Sequence, residues 1–242
     1  YCFDMEKDHE QAISFLNAYL DKNPYSEVAW HQLGRQYFVL DRFNEALTCF
    51  DYAVLIDESF IGGYLEKAKT YEQLGEFEDA IKNYMLTLEL DDPTAFAFVR
   101  IGECYQKIGQ LDEAISYYKK SVHEDPLLDK GWILLTEAFY VQEDYQKALY
   151  YISKALKIDE SNALYWRKYS DINIKLSFFE EAIKGFENCI DLKDYSIEIY
   201  IALADVLLFI GDFNDALKVL ISAQKIYKDF AEIEYRLSGL FF

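Results

Sequence analysis

The sequence predicts an all-α solenoid of antiparallel helix pairs, and three observations carry that prediction. Alanine stands at 12, 46, 80, 114, 148, 182 and 216, in register at intervals of 34 residues. Only 20 of the 242 residues are alanine, so chance does not produce the series. A fixed period of this length marks stacked copies of one supersecondary unit. The second observation is a pair of apolar stripes at helical spacing within each period. The third is glycine between the stripes, at 75, 109 and 211. A solenoid has no single crevice in which to place an active site, so its function lies in surfaces that recur from unit to unit.

With the periodic alanine set at position 20, six complete units align: 27–60, 61–94, 95–128, 129–162, 163–196 and 197–230. Position 4 is always aromatic (Trp30, Tyr64, Phe98, Trp132, Trp166, Tyr200). Position 8 is always small (Gly34, Ala68, Gly102, Thr136, Ser170, Ala204). Position 11 is aromatic in four units and drifts to Asn173 and Leu207. Positions 4, 7, 8 and 11 share one stripe of a first helix, and 17, 20, 21, 24 and 27 one stripe of a second. Glycine at position 15 stops the first helix and turns the chain. The small residues at 8 and 20 let the two backbones approach, while the large ones at 4, 11, 17 and 24 fill the flanks. Ala114→Leu therefore overpacks the contact and costs about 1–3 kcal/mol, read from the urea midpoint.

These residues resemble the tetratricopeptide repeat, whose pattern is W-x2-L-G-x2-Y, then A-x3-F, A and P. Residues 27–60 carry it as Trp30, Leu33, Gly34, Tyr37, Ala46, Phe50 and Ala53. Residues 95–128 carry Gly102, Tyr105, Ala114, Tyr118 and the closing Pro126. Six units agree in phase without an insertion. The resemblance implies a right-handed superhelical solenoid running as one domain through 1–242, with no linker or boundary. Three residues depart from the pattern: Asn173 at an aromatic position, Lys67 at an apolar one, and Cys189 in place of the second alanine.

Residues 1–26 read as the end of a preceding unit, since Ala12, Leu16 and Pro24 fit its positions 20, 24 and 32. Residues 231–242 read as the first helix of a further unit, stopping at Phe241–Phe242. Terminal repeats normally carry a polar cap, and its lack here points to a segment of a longer protein. No run approaches the roughly 18 apolar residues of a membrane span. Direct membrane insertion is not expected.

The net charge of −19 opposes nucleic-acid binding, which needs clustered Lys and Arg. Part of that acidity is local. Glu78–Asp79, Asp112–Glu113, Glu180–Glu181 and Asp215 open the second helices, where carboxylates complement the helix dipole. Cys2, Cys49, Cys104 and Cys189 form no C-x2-C pair and no His set at metal spacing, so neither metal nor cofactor is expected. Cys189 occupies a core alanine position as a small hydrophobe. Unpaired cysteines favour a reducing compartment, and the expected location is cytoplasmic. His9, His31 and His123 are scattered and read as surface residues.

In the tetratricopeptide repeat family the first helices line a concave groove, and the resemblance implies that positions 2, 5, 9, 12 and 13 face it. Position 9 reads Arg35, Lys69, Glu103, Glu137, Asp171 and Asp205, two bases and then four acids. Position 5 reads His31, Leu65, Val99, Ile133, Arg167 and Ile201. Phe96, Tyr140, Val141, Leu164, Ile174, Leu208 and Phe209 flank them. The expected groove has an apolar floor, a carboxylate rail and a basic N-terminal end, and fits a peptide or protein segment with apolar anchors and basic residues. Position 9 charges are equally accountable as an exposed, solvated face. Family members that clamp a chaperone's C-terminal carboxylate use Lys, Asn and Arg at positions 5 and 9. Only Arg35 and Lys69 match that set, and Glu103 and Glu137 would repel a carboxylate, so that use is disfavoured.

No G-x-S-x-G, phosphate-cradling glycine loop or Ser/His/Asp set is present, so no enzyme is expected within these residues. The alternative to a non-catalytic binding scaffold is a structural module that self-associates through its open ends or groove. Light scattering at several concentrations separates the two.

Overall fold

The computed structural model describes residues 8–227 and 231–240; Cys2 and the Phe241–Phe242 pair lie outside them. The described residues form helices and turns and no strand. The helices cluster into two compact units, the chain dividing between Leu128 and Asp129, at the boundary of two repeats.

The first unit holds α1 (His9–Leu20), then the pairs α2 (Glu27–Val39) with α3 (Phe43–Ile56), α4 (Ile61–Leu74) with α5 (Phe77–Leu90), and α6 (Ala95–Lys107) with α7 (Leu111–Glu124). The second unit holds α8 (Asp129–Val141) with α9 (Tyr145–Ile158), α10 (Ala163–Lys175) with α11 (Phe179–Asp191), α12 (Ile197–Ile210) with α13 (Phe213–Ile226), and then α14 (Ala231–Leu240). Every first helix of the six units starts at position 1, and every second helix at position 17. Packing follows chain order, each helix lying against the next within its unit.

Capping explains the constant boundaries. Ser26, Thr94 and Asn162 accept backbone N–H groups from Ala29, Ala97 and Leu164 at the starts of α2, α6 and α10. At the other end of the first helix, the N–H of position 16 reaches back to the carbonyl of position 11 in all six units, as in Glu76 to Tyr71 and Asp144 to Phe139. That bond requires a left-handed residue at position 15. Gly75, Gly109 and Gly211 supply it, with φ of 78, 80 and 85°. Asp41, Glu143 and Ser177 adopt the same conformation without being glycine, at φ of 57, 59 and 61°. A side chain is strained there. Glu143→Gly is expected to stabilise the chain by about 1 kcal/mol, net of the entropy glycine adds to the unfolded state. A fall in the urea midpoint would contradict this.

The periodic alanines are fully buried, and the position 24 rings Phe50, Tyr84, Tyr118 and Phe186 lie with them in the core. A Cβ added to Gly34 would meet the Phe50 ring at 2.4 Å, and one on Gly102 the Tyr118 ring at 2.4 Å. Glycine at position 8 thus makes room for the ring across the pair. Aromatic stacking closes the same gap in two units, Tyr105 on Tyr117 at 5.4 Å and Phe139 on Tyr151 at 5.3 Å.

The departures from the repeat pattern have local accounts. Asn173 is buried and donates to the Tyr169 carbonyl at 2.8 Å. On the facing helix Gly185, by its missing Cβ, leaves room for Ser170 and the Tyr169 ring. The Tyr169 hydroxyl donates to Glu181 at 3.2 Å. Lys67 stretches out of the core to pair with Asp51 at 2.6 Å. Cys189 is fully buried and donates to the Ala163 carbonyl at 3.3 Å. Burial pushes its thiol, and that of Cys49, up to about 12.

Candidate protein-interaction surface

In the first unit the position 9 residues are already engaged or set apart. Arg35 is exposed, whereas Lys69 pairs within its own helix to Glu66 at 3.0 Å. Glu103 accepts from Arg100 at 2.7 Å. Arg100 also donates to Glu72 on α4, and that carboxylate is only 8 % exposed. The Cys104 thiol adds a hydrogen bond to Glu72 at 3.4 Å. Burial opposes the Arg100 charge, but Tyr84 and the two carboxylates outweigh it and hold the guanidinium ionised. The cluster fastens α4 to α6.

The second unit repeats the arrangement with other residues. Glu137 on α8 pairs with Lys168 on α10 at 2.7 Å. Asp205 on α12 accepts both Nε and Nη2 of Arg236 on α14, at 2.7 and 2.9 Å. In each case an acid of one repeat meets a base at position 6 of the next. Neither Glu72 nor Arg100 stands out in single-unit patterning. Reading position 6 against the preceding unit's acids would have revealed Arg100, Lys168 and Arg236 together.

Asp171 differs from the other three acids. It is half-buried and has no hydrogen-bonded ion pair among the described residues. Burial raises its pKa, against the opposing pull of Arg167, Lys168 and Lys175. The expected ladder of four carboxylates is therefore three ion-paired acids and one, Asp171, that feels nearby cations without a direct ion pair.

The apolar floor also shifts. Val99 is 1 % exposed and packs in the core, so it does not face solvent as expected. Its helix carries Ala95, Ala97, Ile101 and Cys104 buried around it. Leu65, Ile133, Arg167 and Ile201 at the same position are half-buried. His31 lies between Phe50 and Phe60, 5.9 and 5.2 Å away by ring centroid, and burial lowers its pKa. Tyr140 is half-buried edge-on to Tyr145 at 5.4 Å. Solvent instead meets positions 2 and 13: Val28, Val39 and Phe96 in the first unit, and Val141, Leu164 and Phe209 in the second. Phe209 is the most open of these at 74 %.

Sequence patterning passed over Phe178. Position 16 is Arg42, Glu76, Gln110, Asp144 and Asp212 in the other units. Phe178 caps α11 without a side-chain hydrogen bond and is exposed. It lines a depression of about 580 Å³ with Ser177, Glu180 and Ile210. Phe179 beside it packs on Phe209 at 4.8 Å, which joins this depression to the first-helix face. Exposed apolar side chains in contact mark interaction sites more often than scattered ones do.

Among the described residues no group of three or more His, Cys, Asp or Glu is placed to hold a metal ion. None of the described helices is long and apolar enough to cross a membrane.

The sequence model of the tetratricopeptide repeat family matches residues 61–93 and 97–126. No curated protein sequence matches the chain. Solved structures share the fold at low identity. The C-terminal part of a tetratricopeptide repeat-containing protein from Cytophaga hutchinsonii is 17 % identical over 94 % of each chain, with a TM-score of 0.82. A tetratricopeptide repeat protein from Parabacteroides merdae is 16 % identical over 98 % of this chain and 94 % of its own, with a TM-score of 0.63. YrrB, described as a tetratricopeptide repeat protein with an unusual peptide-binding site, is 15 % identical over 78 % of this chain and 95 % of its own, with a TM-score of 0.62. Two units are matched by the family and all six share one register, one set of helix boundaries and one turn, so this chain has the tetratricopeptide-repeat fold.

Proposed function

We propose that this chain is a non-catalytic scaffold that holds an apolar segment of a protein partner against the first-helix face of its second unit. Tetratricopeptide repeats generally mediate protein–protein interactions. The observation that carries the more specific reading is Asp171, a half-buried carboxylate with no direct ion pair among the described residues, on the helix that also exposes Leu164. Val141 on α8 and Phe209 on α12 are exposed at matching positions. Apolar side chains of the partner cover those three, and a Lys or Arg of the partner makes the direct ion pair that Arg167, Lys168 and Lys175 do not make with Asp171. Glu137 and Asp205, already paired to the next repeat, fix the stacking and add little attraction for a ligand. YrrB shows that the same architecture accommodates a peptide-binding site.

The test starts from peptides selected from a random display library on the intact chain. Selected sequences should combine apolar residues with Lys or Arg. Val141→Ser with Phe209→Ser should weaken their binding about tenfold or more, as loss of a buried anchor does. Unchanged binding in that double variant would sink the assignment.

Asp171→Asn gives an independent check. The folded-state pKa of Asp171 is raised, so its charge costs stability at neutral pH. That cost is relieved as pH falls through the folded value, because the native state takes up the proton first. Asp171→Asn should therefore raise Tm at pH 7 and leave it unchanged in acid below the unfolded-state value. It should also weaken basic peptides while sparing purely apolar ones.

A further inference from the structure

The second helices of the first unit carry a surface that the scaffold reading does not use. Position 26 is Lys120, Lys154, Asn188 and Ser222 in the last four repeats, but Tyr52 and Leu86 in the first two. Position 29 is His123, Lys157, Asp191 and Lys225 in the last four, but Leu55 and Glu89 in the first two. The structure brings Leu55, Leu86 and Glu89 together, while Tyr52 stacks on Trp30. Leu55 on α3, with Leu86 and Leu90 on α5, lines a groove of about 540 Å³ that also touches Asp51, Glu58 and Glu89. Leu55 is 74 % exposed.

The electrostatics of the groove have one sign. No cation lines it. Asp51 is neutralised by Lys67, which leaves Glu58 and Glu89 without an ion pair among the described residues. The groove lies against the C-terminal halves of α3 and α5. Helix C-termini carry partial negative charge and usually place a base in the last turn. His123, Lys157 and Lys225 do so for α7, α9 and α13, but the last turns of α3 and α5 hold no base. Two helix ends and two carboxylates thus flank an apolar groove without a counter-charge.

We propose that this groove docks an amphipathic helix of another protein, with leucine-like residues seated on Leu55, Leu86 and Leu90 and Lys or Arg facing Glu58, Glu89 and the ends of α3 and α5. A helix laid in a groove presents anchors at i, i+3, i+4 and i+7, which suits a trough between two helices. A second copy of this chain fits less well, because two chains of net charge −19 repel. The surface is separate from the first-helix face of the second unit, and different variants report on each.

The probe is a fluorescently labelled amphipathic Leu/Lys peptide helix titrated into the intact chain and followed by anisotropy. Binding is expected to weaken about tenfold in Leu55→Ser and in Glu58→Lys/Glu89→Lys, and to fall with added salt. Val141→Ser/Phe209→Ser should leave it unchanged. These side chains are exposed, so their replacement leaves the helical content intact, as circular dichroism would verify. A peptide of the same composition with Leu and Lys scrambled off their faces should bind at least tenfold more weakly. Equal binding of the scrambled peptide would reduce the effect to net charge and overturn the proposal. So would indifference to Leu55→Ser, or loss of binding in Val141→Ser/Phe209→Ser alone. Light scattering that showed a dimer converted to monomer by Leu55→Ser would assign the groove to a second copy instead.

Discussion

Arg100→Met is expected to destabilise the first unit by about 3–5 kcal/mol, because it strands the Glu72 carboxylate at 8 % exposure. The cost comes from the charge left behind, and only secondarily from the lost attraction. Glu72→Leu combined with Arg100→Met should therefore recover most of the loss, since an apolar pair of similar volume replaces the ionic one. Urea denaturation followed by circular dichroism reads both, with hydrogen exchange assigning the change to α4 and α6. A loss below about 1 kcal/mol for the single variant would mean that the carboxylate finds water, as exposed pairs do. The exposed pairs Lys82–Asp79 and Lys218–Asp215 are the natural controls, and their removal should cost little.

Phe186→Ala should cost a similar amount, about 3–5 kcal/mol, through the cavity it opens in the second unit. The ring is 1 % exposed, in a cluster with Cys189, Ile199, Leu203 and Ala216. Phe178, eight residues earlier in the same repeat, makes the contrast. It is exposed, its side chain makes no capping hydrogen bond, and Phe178→Ala should change stability by no more than about 0.5 kcal/mol. An aromatic residue that contributes so little to the fold is better explained by contact with a partner. Equal losses in the two variants would contradict that division.

The fold was legible because its signal repeats. Each of six units places an alanine at position 20 and a bulky apolar residue at position 24, and every helix start follows from that register. The left-handed turns were read only where glycine marks them. Asp41, Glu143 and Ser177 adopt the same backbone through the carbonyl bond at position 11, which no residue type announces. The charges of the candidate face were legible as a column, but not as pairs. Glu137 with Lys168 and Asp205 with Arg236 join different repeats, so a reading down one position sees the acids and misses the bases that meet them. Val99 was misplaced for a related reason. Its helix is apolar on more than one stripe, and spacing alone does not say which stripe is covered. Phe178 was missed because position 16 looks like a turn, where one aromatic among polar residues carries no periodicity.

Hydrogen exchange on the intact chain, free and saturated with a display-selected peptide, tests the scaffold reading most directly. The expected result is added protection in α8, α10 and α12, centred on the turns that carry Val141, Asp171 and Phe209, with loss of that protection in Val141→Ser/Phe209→Ser. Protection confined to the second helices, or none at saturating peptide, would contradict it.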